Sequence, residues 1–382
     1  MNVLLHCIYF PPEIGGLESH VFHLARGLAK RGHGVEVVTS RSRPELAREE
    51  TVDGIRIVRT PLPARNSAGW MAHAFGSTPA TFRGAGRADI IHAQAFGSVL
   101  PCRVARARTG CPMVATFHTS HFLFRAERPL WKPVLRGLVQ APDYCLAAST
   151  EIADVAEALA PGSHVEALTN GVDTEIFQPL APTLPENRTN RIVVPRRLFP
   201  KNGVEYLIRA VPEVLARCDG RPIEFMIVGD GPEAARLEAL SVELGVADSI
   251  QFLGSRPNDE MPGLLSSAAI AVIPSLMEAT SVAALEAMAC GLPVVASNVG
   301  GLPEIVDGEV GALSVPGDPS SLADAISELL GRDDLAAVGA RARARVMDLW
   351  SVDRLVDRHL EIYRSLLPAS VSSEAEQSIG GL

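Results

Sequence analysis

The chain has 382 residues, of which 47% are hydrophobic and 21% charged, and its formal net charge is −9. This length exceeds one ordinary hydrophobic core and predicts two domains. The negative charge argues against a nucleic-acid partner, which needs a broad cationic surface. No apolar run approaches the roughly 20 residues of a membrane-spanning helix, and the six cysteines lack the CxxC spacing of a metal or redox site.

The first half of the chain alternates predicted strands and helices. The apolar run Val3–Ile8 predicts a strand rather than a signal peptide, so we expect a cytoplasmic protein. A loop with Gly15 and Gly16 leads into a helix, and the strand Val35–Thr39 completes a βαβ unit. Further strands are predicted at Asp89–Ala93, Met113–Phe117 and Tyr144–Ala148, with a helix at Ile152–Leu159. The pattern predicts one doubly wound domain over residues 1–180.

A Pro-rich, polar stretch between Gln178 and Asn190 predicts an interdomain linker. The second half then repeats the alternation, with strands at Ile192–Val194, Glu224–Val228, Ser249–Phe252, Ile270–Ile273 and Pro293–Ala296 and a helix from Gly203 to Ala216. We expect a second doubly wound domain over 190–350, a C-terminal helix over 351–368 and a disordered tail over 369–382. The predicted fold class is α/β: two Rossmann-like parallel-sheet domains that face each other across a cleft.

The segment 274–291 contains the most informative polar residues. A helix begins there at Thr280 or Ser281, both good N-cap residue types, and its free N–H groups and dipole favour a diphosphate. Glu278 lies in the preceding loop. Glu286 lies about a turn and a half inside the helix, where a carboxylate suits the paired hydroxyls of a ribose. Solvated glutamates are the alternative interpretation.

Cationic side chains and a glycine turn follow two other strands of the second half. Arg197 and Lys201 come after the first of these strands and suit a diphosphate leaving group. Because the chain has only three lysines, we expect Lys201 to have a function there. Asn202 follows directly, and as a helix cap it would leave Lys201 in solvent. Gly231 lies in a tight turn, for which a purely structural role is one interpretation.

Taken in order, these segments resemble the retaining family-4 glycosyltransferases of the GT-B architecture, and the resemblance covers residues 1–365. The segments that carry it are Gly15-Gly16, Thr116-Phe117-His118, Asn170-Gly171-Val172-Asp173 with Phe177, Arg197-Leu198 with Lys201 and Gly203, Val228-Gly229-Asp230-Gly231-Pro232, Glu278 with Glu286, and Gly291-Leu292-Pro293-Val294-Val295-Ala296. The chain departs from the family at Ala279-Thr280-Ser281, where glycine is common. The space around the sugar is therefore expected to differ.

The resemblance implies that the protein moves a sugar from a nucleotide-diphosphate sugar, a UDP- or GDP-sugar, to an acceptor hydroxyl with retention of configuration. The acceptor would be a sugar, a lipid-linked sugar or another small molecule. In the family, residues matching Glu286 hold the donor ribose, and those matching Glu278 and His118 lie by the transferred sugar. The predicted catalytic residues are His118, Glu278, Arg197 and Lys201, and the predicted donor-binding residues are Gly15, Gly16, Gly231, Thr280, Ser281 and Glu286.

No Asp-x-Asp triplet occurs, so we expect neither a metal ion nor another cofactor. The segment 121–139 mixes aromatic and basic residues, which suits a peripheral contact with the inner face of a membrane. A solvated helix beside the acceptor cleft is the interpretation we favour. A nucleotide-sugar 2-epimerase and a non-catalytic nucleotide-sugar binding protein stay open as alternatives. An NAD-dependent oxidoreductase is disfavoured because no GxGxxG follows the first strand.

Overall fold

The computed structural model describes residues 1–13, 15–118, 120–180, 190–218 and 221–368. The described residues divide into two compact units: residues 1–171 form unit 1 together with residues 352–368, and residues 172–351 form unit 2. This boundary precedes the predicted one, and the last helix, which we expected as a separate segment, belongs to unit 1. Residues 181–189 of the predicted linker and the predicted tail, 369–382, lie outside the described residues.

The elements of unit 1 alternate along most of its length. Its strands are β1 (Asn2–His6), β2 (Gly34–Arg41), β3 (Glu49–Val52), β4 (Ile55–Pro61), β5 (Ile90–Gln94), β6 (Met113–Phe117), β7 (Tyr144–Ala147) and β8 (Val165–Ala167). Its helices are α1 (Gly16–Lys30), α2 (Ser67–Ala85), α3 (Phe96–Thr109), α4 (Ser120–Ala126), α5 (Lys132–Val139) and α6 (Thr150–Leu159).

Unit 2 repeats the alternation, and the chain then returns to unit 1. Its strands are β9 (Arg191–Pro195), β10 (Glu224–Val228), β11 (Ile250–Gly254), β12 (Ile270–Ile273), β13 (Val294–Ser297) and β14 (Gly311–Ser314). Its helices are α7 (Val204–Arg217), α8 (Ala234–Glu243), α9 (Met261–Ser266), α10 (Val282–Ala289), α11 (Leu302–Ile305), α12 (Pro319–Leu330) and α13 (Leu335–Leu349). The final helix, in unit 1, is α14 (Val352–Leu366).

The sheet of unit 1 has the strand order β3-β4-β2-β1-β5-β6-β7-β8. All neighbours are parallel except β3 and β4, which form an antiparallel hairpin. We did not predict this hairpin, because β3 carries polar, largely exposed residues. A signal was nevertheless present: Asp53 and Gly54 form its turn with positive φ angles of 52° and 77°, the geometry that Asp-Gly favours in two-residue hairpins.

Helix α14 packs against the hydrophobic core at the centre of unit 1. The central strands β5 and β6 are buried along their whole length, as expected for a parallel sheet covered on both faces. Val356, Leu360 and Tyr363 of α14 join the core that α1 and β1 also form. Gly27 of α1 allows this approach, since a Cβ there would lie 2.5 Å from Val356 Cγ2. The last helix is therefore part of the first unit by packing, although it is remote in sequence.

The sheet of unit 2 is parallel throughout, with the order β11-β10-β9-β12-β13-β14. Its central strand β9 is buried on both faces: Ile192 and Val194 pack on one side, and Val193 packs on the other. After β9, the strands β10 and β11 are added in turn on one side of it. The strands β12, β13 and β14 are then added in turn on its other side. The order therefore reverses between β9 and β12, a switch point at which open α/β sheets bind ligands.

Candidate functional site

Two loops of unit 2 meet at the switch point, because β9 and β12 are adjacent and parallel. The backbone N–H of Leu276 donates to the carbonyl of Lys201 at 2.8 Å. Gly203 makes this approach feasible: its φ is +66°, and a Cβ there would lie 1.8 Å from the Pro274 carbonyl oxygen. Any larger residue would separate the loops. The backbone thus brings residues 196–203 and 274–281 together.

Arg196 connects the two loops through its side chain. One guanidinium nitrogen donates to Glu278 Oε2 at 2.6 Å, to Ser275 Oγ at 2.6 Å and to Asn202 Oδ1 at 2.9 Å. The ion pair is largely buried, with 10% and 16% of the two side chains exposed. Arg196 Nε has no hydrogen-bond partner among the described residues. Glu278 is therefore fixed by an arginine that still has a buried donor to offer.

The arginine that pairs with Glu278 is Arg196, and not its neighbour Arg197, which we predicted at the diphosphate. Arg197 is exposed, and its guanidinium lies 5.6 Å from the centre of the Phe199 ring. The ion pair with Glu278 therefore belongs to Arg196, while the contact of Arg197 with the donor diphosphate stays a prediction. The direction of Arg196 depends on Asn202 and Ser275, and Ser275 lies 79 residues away along the chain.

Lys201 lies in the same group of charges. Partial desolvation lowers its pKa, Glu278 acts in the opposite direction, and the nearby Arg197 and Arg196 lower it further. Asn202 is buried, and besides accepting from Arg196 it donates from Nδ2 to the Arg197 carbonyl at 2.6 Å. The N-cap of α7 is Gly203 without a side-chain cap. The alternative that Asn202 caps this helix is therefore wrong, and Asn202 instead supports Arg196.

The N-terminus of α10 faces the loop that carries Glu278. Ser281 is its N-cap, with a hydroxyl that accepts from the Ala284 N–H at 3.3 Å. Thr280 Oγ1 is buried and finds no partner within the described ranges. The two residues thus differ in the structure, since Ser281 caps the helix and the Thr280 hydroxyl has no partner among the described residues; donor binding by either stays a prediction.

Glu286 lies inside α10 and keeps only part of its surface exposed. In the part of the chain that the structure describes, no group donates a hydrogen bond to its carboxyl and no cation pairs with it. Burial raises the pKa of Glu286 to about 8. An acid without partners in such surroundings is mostly protonated near neutral pH, and it can then both donate and accept one hydrogen bond.

The turn with Gly231 packs against the backbone that carries the arginines. A Cβ at Gly231 would lie 2.3 Å from the Leu198 carbonyl oxygen, and one at Gly229 would lie 2.2 Å from that of Arg196. The Leu198 N–H donates to the Asp230 carbonyl at 2.9 Å. Close backbone packing thus accounts for Gly231, whose contact with a nucleoside stays a prediction.

In unit 1, the loop between β1 and α1 is anchored by Glu13. Its carboxylate accepts hydrogen bonds from Ser42 at 2.8 Å, Arg43 at 2.9 Å and Arg65 at 2.5 Å. Gly15 is the N-cap of α1, without a side-chain cap, and Gly16 is the first helical residue. Both predicted glycines therefore lie at a strand-to-helix junction, and their contact with donor phosphates stays a prediction.

His118 directly follows β6 and is 6% exposed. Its Nε2 and the Gln94 Oε1 are 2.6 Å apart, and the His20 ring lies 4.4 Å from its own, centre to centre. Burial lowers the pKa of His118 to about 3, and His359 contributes. A neutral imidazole cannot act as a charged acid near neutral pH, so any role beside a sugar is that of a hydrogen-bond partner.

The segment 121–139 spans most of α4 and all of α5. Its apolar residues divide into two groups, since Phe122 and Leu135 are buried while Leu130 is 90% and Val134 50% exposed. The Arg125 guanidinium lies 5.0 Å from the Trp131 ring centre.

None of the helices that the structure describes combines the length and apolar character needed to cross a bilayer.

The comparisons with known proteins agree with this geometry. The model for "Glycosyltransferase Family 4" matches residues 14–176, and that for "Glycosyl transferases group 1" matches residues 189–332. The MMP alpha-(1->4)-mannosyltransferase of Mycolicibacterium hassiacum is 31% identical over 96% of this chain and 98% of its own. This chain belongs to the group 1, family-4 glycosyltransferases.

Two further comparisons extend the assignment. The GDP-mannose-dependent alpha-(1-6)-phosphatidylinositol monomannoside mannosyltransferase of Mycobacterium tuberculosis is 29% identical, with 95% of this chain and 98% of that one covered. The sucrose-phosphate synthase structure from Thermosynechococcus elongatus has a TM-score of 0.84 at 24% identity, over 96% of this chain and 98% of that one. The glycosyltransferase thus has the GT-B fold and transfers a sugar from a nucleotide-sugar donor. These relatives favour neither a 2-epimerase nor a non-catalytic binding protein.

Proposed function

We propose that this glycosyltransferase binds a UDP- or GDP-sugar at the switch point of unit 2 and transfers the sugar with retention and without a divalent metal. One observation supports this most: Arg196 pairs with the only carboxylate of a charged group, Glu278, and Arg196, Arg197 and Glu278 all act on the pKa of Lys201, so three cations share this group with one anion. The group has an excess of two positive charges. A diphosphate brings two negative charges, and it accepts charge-assisted hydrogen bonds well.

The groups without partners suit the same ligand. Arg196 Nε and the Thr280 hydroxyl are buried donors that no described residue uses, and α10 adds the free N–H groups of its first turn. Leaving such donors unpaired is costly, so a phosphate that pairs them stabilises the site. Glu286, further along α10, is assigned to the ribose hydroxyls.

The same cations assist the reaction. Negative charge develops on the diphosphate oxygen as the bond between this oxygen and the sugar breaks, and fixed cations stabilise that charge. The departing oxygen then accepts the proton of the acceptor hydroxyl, which adds to the same face of the sugar that the diphosphate leaves. The positive charge of the fixed cations therefore assists departure of the diphosphate, and no protonated side chain is needed as an acid. The neutral state of His118 agrees with this.

The acceptor is assigned to unit 1, with His118 as a neutral partner of the sugar. A lipid-linked acceptor would bring this unit to a membrane. Leu130 and Val134 are exposed beside the cations Arg125, Arg128 and Lys132, a combination that suits an anionic surface. Cosedimentation with vesicles that contain anionic lipid tests this contact. Leu130→Ser should reduce it, and equal binding of both proteins would contradict it.

A transfer assay after exhaustive chelation tests the proposed function. Wild-type enzyme is incubated with UDP- and GDP-sugars, with and without sugar and lipid-linked acceptors. We expect a retained glycosidic product that forms only with acceptor and without added metal. A C2 epimer formed without acceptor would indicate an epimerase. Turnover that is lost on chelation and restored by magnesium would contradict the metal-independent site.

A further inference from the structure

Helices that follow two neighbouring strands of unit 1 meet at Arg125. Arg125 belongs to α4, which follows β6, and its guanidinium lies 5.0 Å from the centre of the Trp131 ring. The same guanidinium lies 4.8 Å from the centre of the Phe96 ring. Phe96 is the first residue of α3, which follows β5. Two aromatic rings from different parts of unit 1 thus hold one arginine side chain.

The two rings leave most N–H groups of Arg125 available. A guanidinium packs on aromatic rings with its flat faces, and its N–H groups point outward in its plane. One of these, at Nη1, donates to the His121 carbonyl at a long 3.4 Å. Within the described ranges of the chain, Arg125 makes no other hydrogen bond. Its remaining donors are therefore fixed in direction and unused.

Arg125 also has no anion beside it. No carboxylate among the described residues pairs with it, and its pKa is lowered by partial desolvation and by the neighbouring Arg128. The segment 121–139 carries four cationic side chains and one acidic side chain, Glu127. Keeping a partly desolvated cation without an anion costs free energy, so an anionic ligand that pairs with Arg125 stabilises this part of the unit.

The start of α3, which carries Phe96, adds uncharged donors. Its N-cap, Ala95, has no side-chain cap, and the helix has 14 residues, so its N-terminal N–H groups favour an anion. Ser98, in the first turn, is fully buried, and its hydroxyl has no partner among the described residues. Gln94, the last residue of β5, has a buried amide nitrogen Nε2 that is likewise unpaired there. Unused donors therefore lie near the ring on which Arg125 packs.

We propose that Arg125 is the binding site for a phosphoryl group of the acceptor, with Phe96 and Trp131 holding the guanidinium in place. The acceptor is then a phosphate ester, either a soluble sugar or polyol phosphate or a lipid whose headgroup carries the phosphate. Phosphate oxygens accept from two guanidinium N–H groups at once, which matches the unused edge of Arg125. That the phosphate belongs to the acceptor rests on the proposed function. The anion site does not, because it follows from the surroundings of Arg125.

Phosphorus-31 NMR tests the anion site without any reaction. A nucleoside diphosphate is added first to occupy the cations of unit 2, and glycerol 3-phosphate is then titrated with wild type, Arg125→Met or Arg103→Met. Arg103→Met is the matched control, because Arg103 is an exposed arginine of α3. We expect the Kd for glycerol 3-phosphate to rise about tenfold in Arg125→Met, as for a lost charged hydrogen bond, and to stay unchanged in the control.

Cosedimentation with vesicles of phosphatidylcholine and phosphatidylglycerol is the second arm and separates the two sources of phosphate. Weaker binding of glycerol 3-phosphate by Arg125→Met indicates a soluble phosphate ester. A loss confined to vesicle binding, and larger than that in Arg103→Met, indicates a lipid headgroup. Equal behaviour of Arg125→Met and Arg103→Met in both arms would overturn the proposal.

Transfer to matched acceptors tests the acceptor class. Glucose 6-phosphate is compared with glucose, glycerol 3-phosphate with glycerol, and phosphatidylglycerol with diacylglycerol in vesicles. We expect wild type to prefer the phosphate ester, and Arg125→Met to lose about 10- to 100-fold in kcat/KM for that ester at an unchanged melting temperature. Equal kcat/KM of wild type for both members of a pair would overturn the proposal and leave the proposed function standing. Binding of the ester through Arg125 without transfer to any acceptor would refute the proposed function and leave the anion site standing.

Discussion

Units 1 and 2 share a pattern of strand order but differ in the chemistry at the point where the order reverses. In unit 1 the reversal lies between β1 and β5, and in unit 2 it lies between β9 and β12. The side chains beside it in unit 2 are charged, with Arg196 paired to Glu278. In unit 1 the side chains at the ends of β5 and β6 are buried and neutral, with Gln94 bonded to His118.

The difference teaches that this fold fixes where a ligand binds and leaves its chemistry to a few loop residues. A diphosphate requires cations, and unit 2 supplies them in excess. A sugar is uncharged and requires hydrogen bonds of defined direction, which neutral side chains in a buried site provide. This difference is the reason that we propose the leaving diphosphate as the ligand of unit 2 and the acceptor as the ligand of unit 1.

The largest expected effect is that low pH destabilises unit 1 more than unit 2. Burial lowers the pKa values of His6 and His118 to about 3 and that of His359 to about 4, all in unit 1. Unfolded histidine titrates near 6.5, so the unfolded state binds more protons and the free energy of unfolding falls as pH drops below that value. At pH 5 each buried histidine costs about 2 kcal/mol.

Urea titration at pH 7.5 and pH 5, followed by circular dichroism, measures this effect. We expect a much lower midpoint at pH 5, with the transition of unit 1 first. His164, whose side chain is 78% exposed, provides the control, because His164→Gln should leave the pH dependence unchanged. A midpoint that does not change with pH would show that these histidines are not buried as neutral groups.

The second prediction compares two neighbouring arginines in unit 2. Arg196→Met removes the partner of Glu278 and a phosphate donor, so kcat/KM should fall about 30- to 150-fold, or about 2–3 kcal/mol. Arg197→Met should lower it only about threefold to tenfold, since Arg197 is exposed and long-range charge is screened. Steady-state kinetics decide between them. A larger loss for Arg197→Met than for Arg196→Met would contradict this ranking of the two arginines.

The third prediction concerns Glu286 and links binding to stability. Glu286→Gln should weaken nucleoside diphosphate binding in calorimetric titrations about tenfold, because an amide has one acceptor oxygen and cannot accept from both ribose hydroxyls as the two oxygens of a carboxylate can. Burial raises the pKa of Glu286 from 4.5 to about 8, so the wild type loses folding free energy as pH rises through this range. The variant should melt higher than wild type at pH 8 and equally at pH 4.5. Equal melting temperatures of the variant and the wild type at both pH values would contradict the burial of the Glu286 carboxyl.

The smallest effects concern the residues that support the cations. Lys201→Ala should lower kcat/KM about 10-fold, near the lower end for a lost charged contact. Asn202→Ala should lower kcat/KM about fivefold, because the Asn202 side chain accepts a hydrogen bond from Arg196. It should also lower the free energy of unfolding by ~1 kcal/mol. Kinetics and melting curves on both variants measure this. Loss of stability without loss of activity in Asn202→Ala would limit its role to the fold.

The parts of the fold that the sequence predicts best are the fully buried strands. Met113–Phe117, Glu224–Val228 and Ile270–Ile273 have the predicted bounds, because a parallel strand covered on both faces is a continuous apolar run. The position of α14 was not predictable in this way. Its core residues contact α1 and β1 across most of the chain length, and such pairing leaves no local pattern.

The candidate site was predictable in its loops but not in its contacts. Strand ends, an N-cap residue and glutamate spacing identify 274–291 from the sequence. The choice of Arg196 over Arg197 depends on Asn202 and Ser275, which only folding brings together. The bond between Gln94 and His118 likewise requires two strands to be in register.

Hydrogen exchange with and without a nucleoside diphosphate tests the central claim most directly, that the charged switch point of unit 2 holds the donor. Peptides covering 196–203 and 274–284 should exchange more slowly with ligand, while those covering 90–94 and 113–117 of unit 1 should not change. In Arg196→Met this protection should be largely lost at the same ligand concentration. Protection in unit 1 alone, or equal protection in Arg196→Met, would contradict the account.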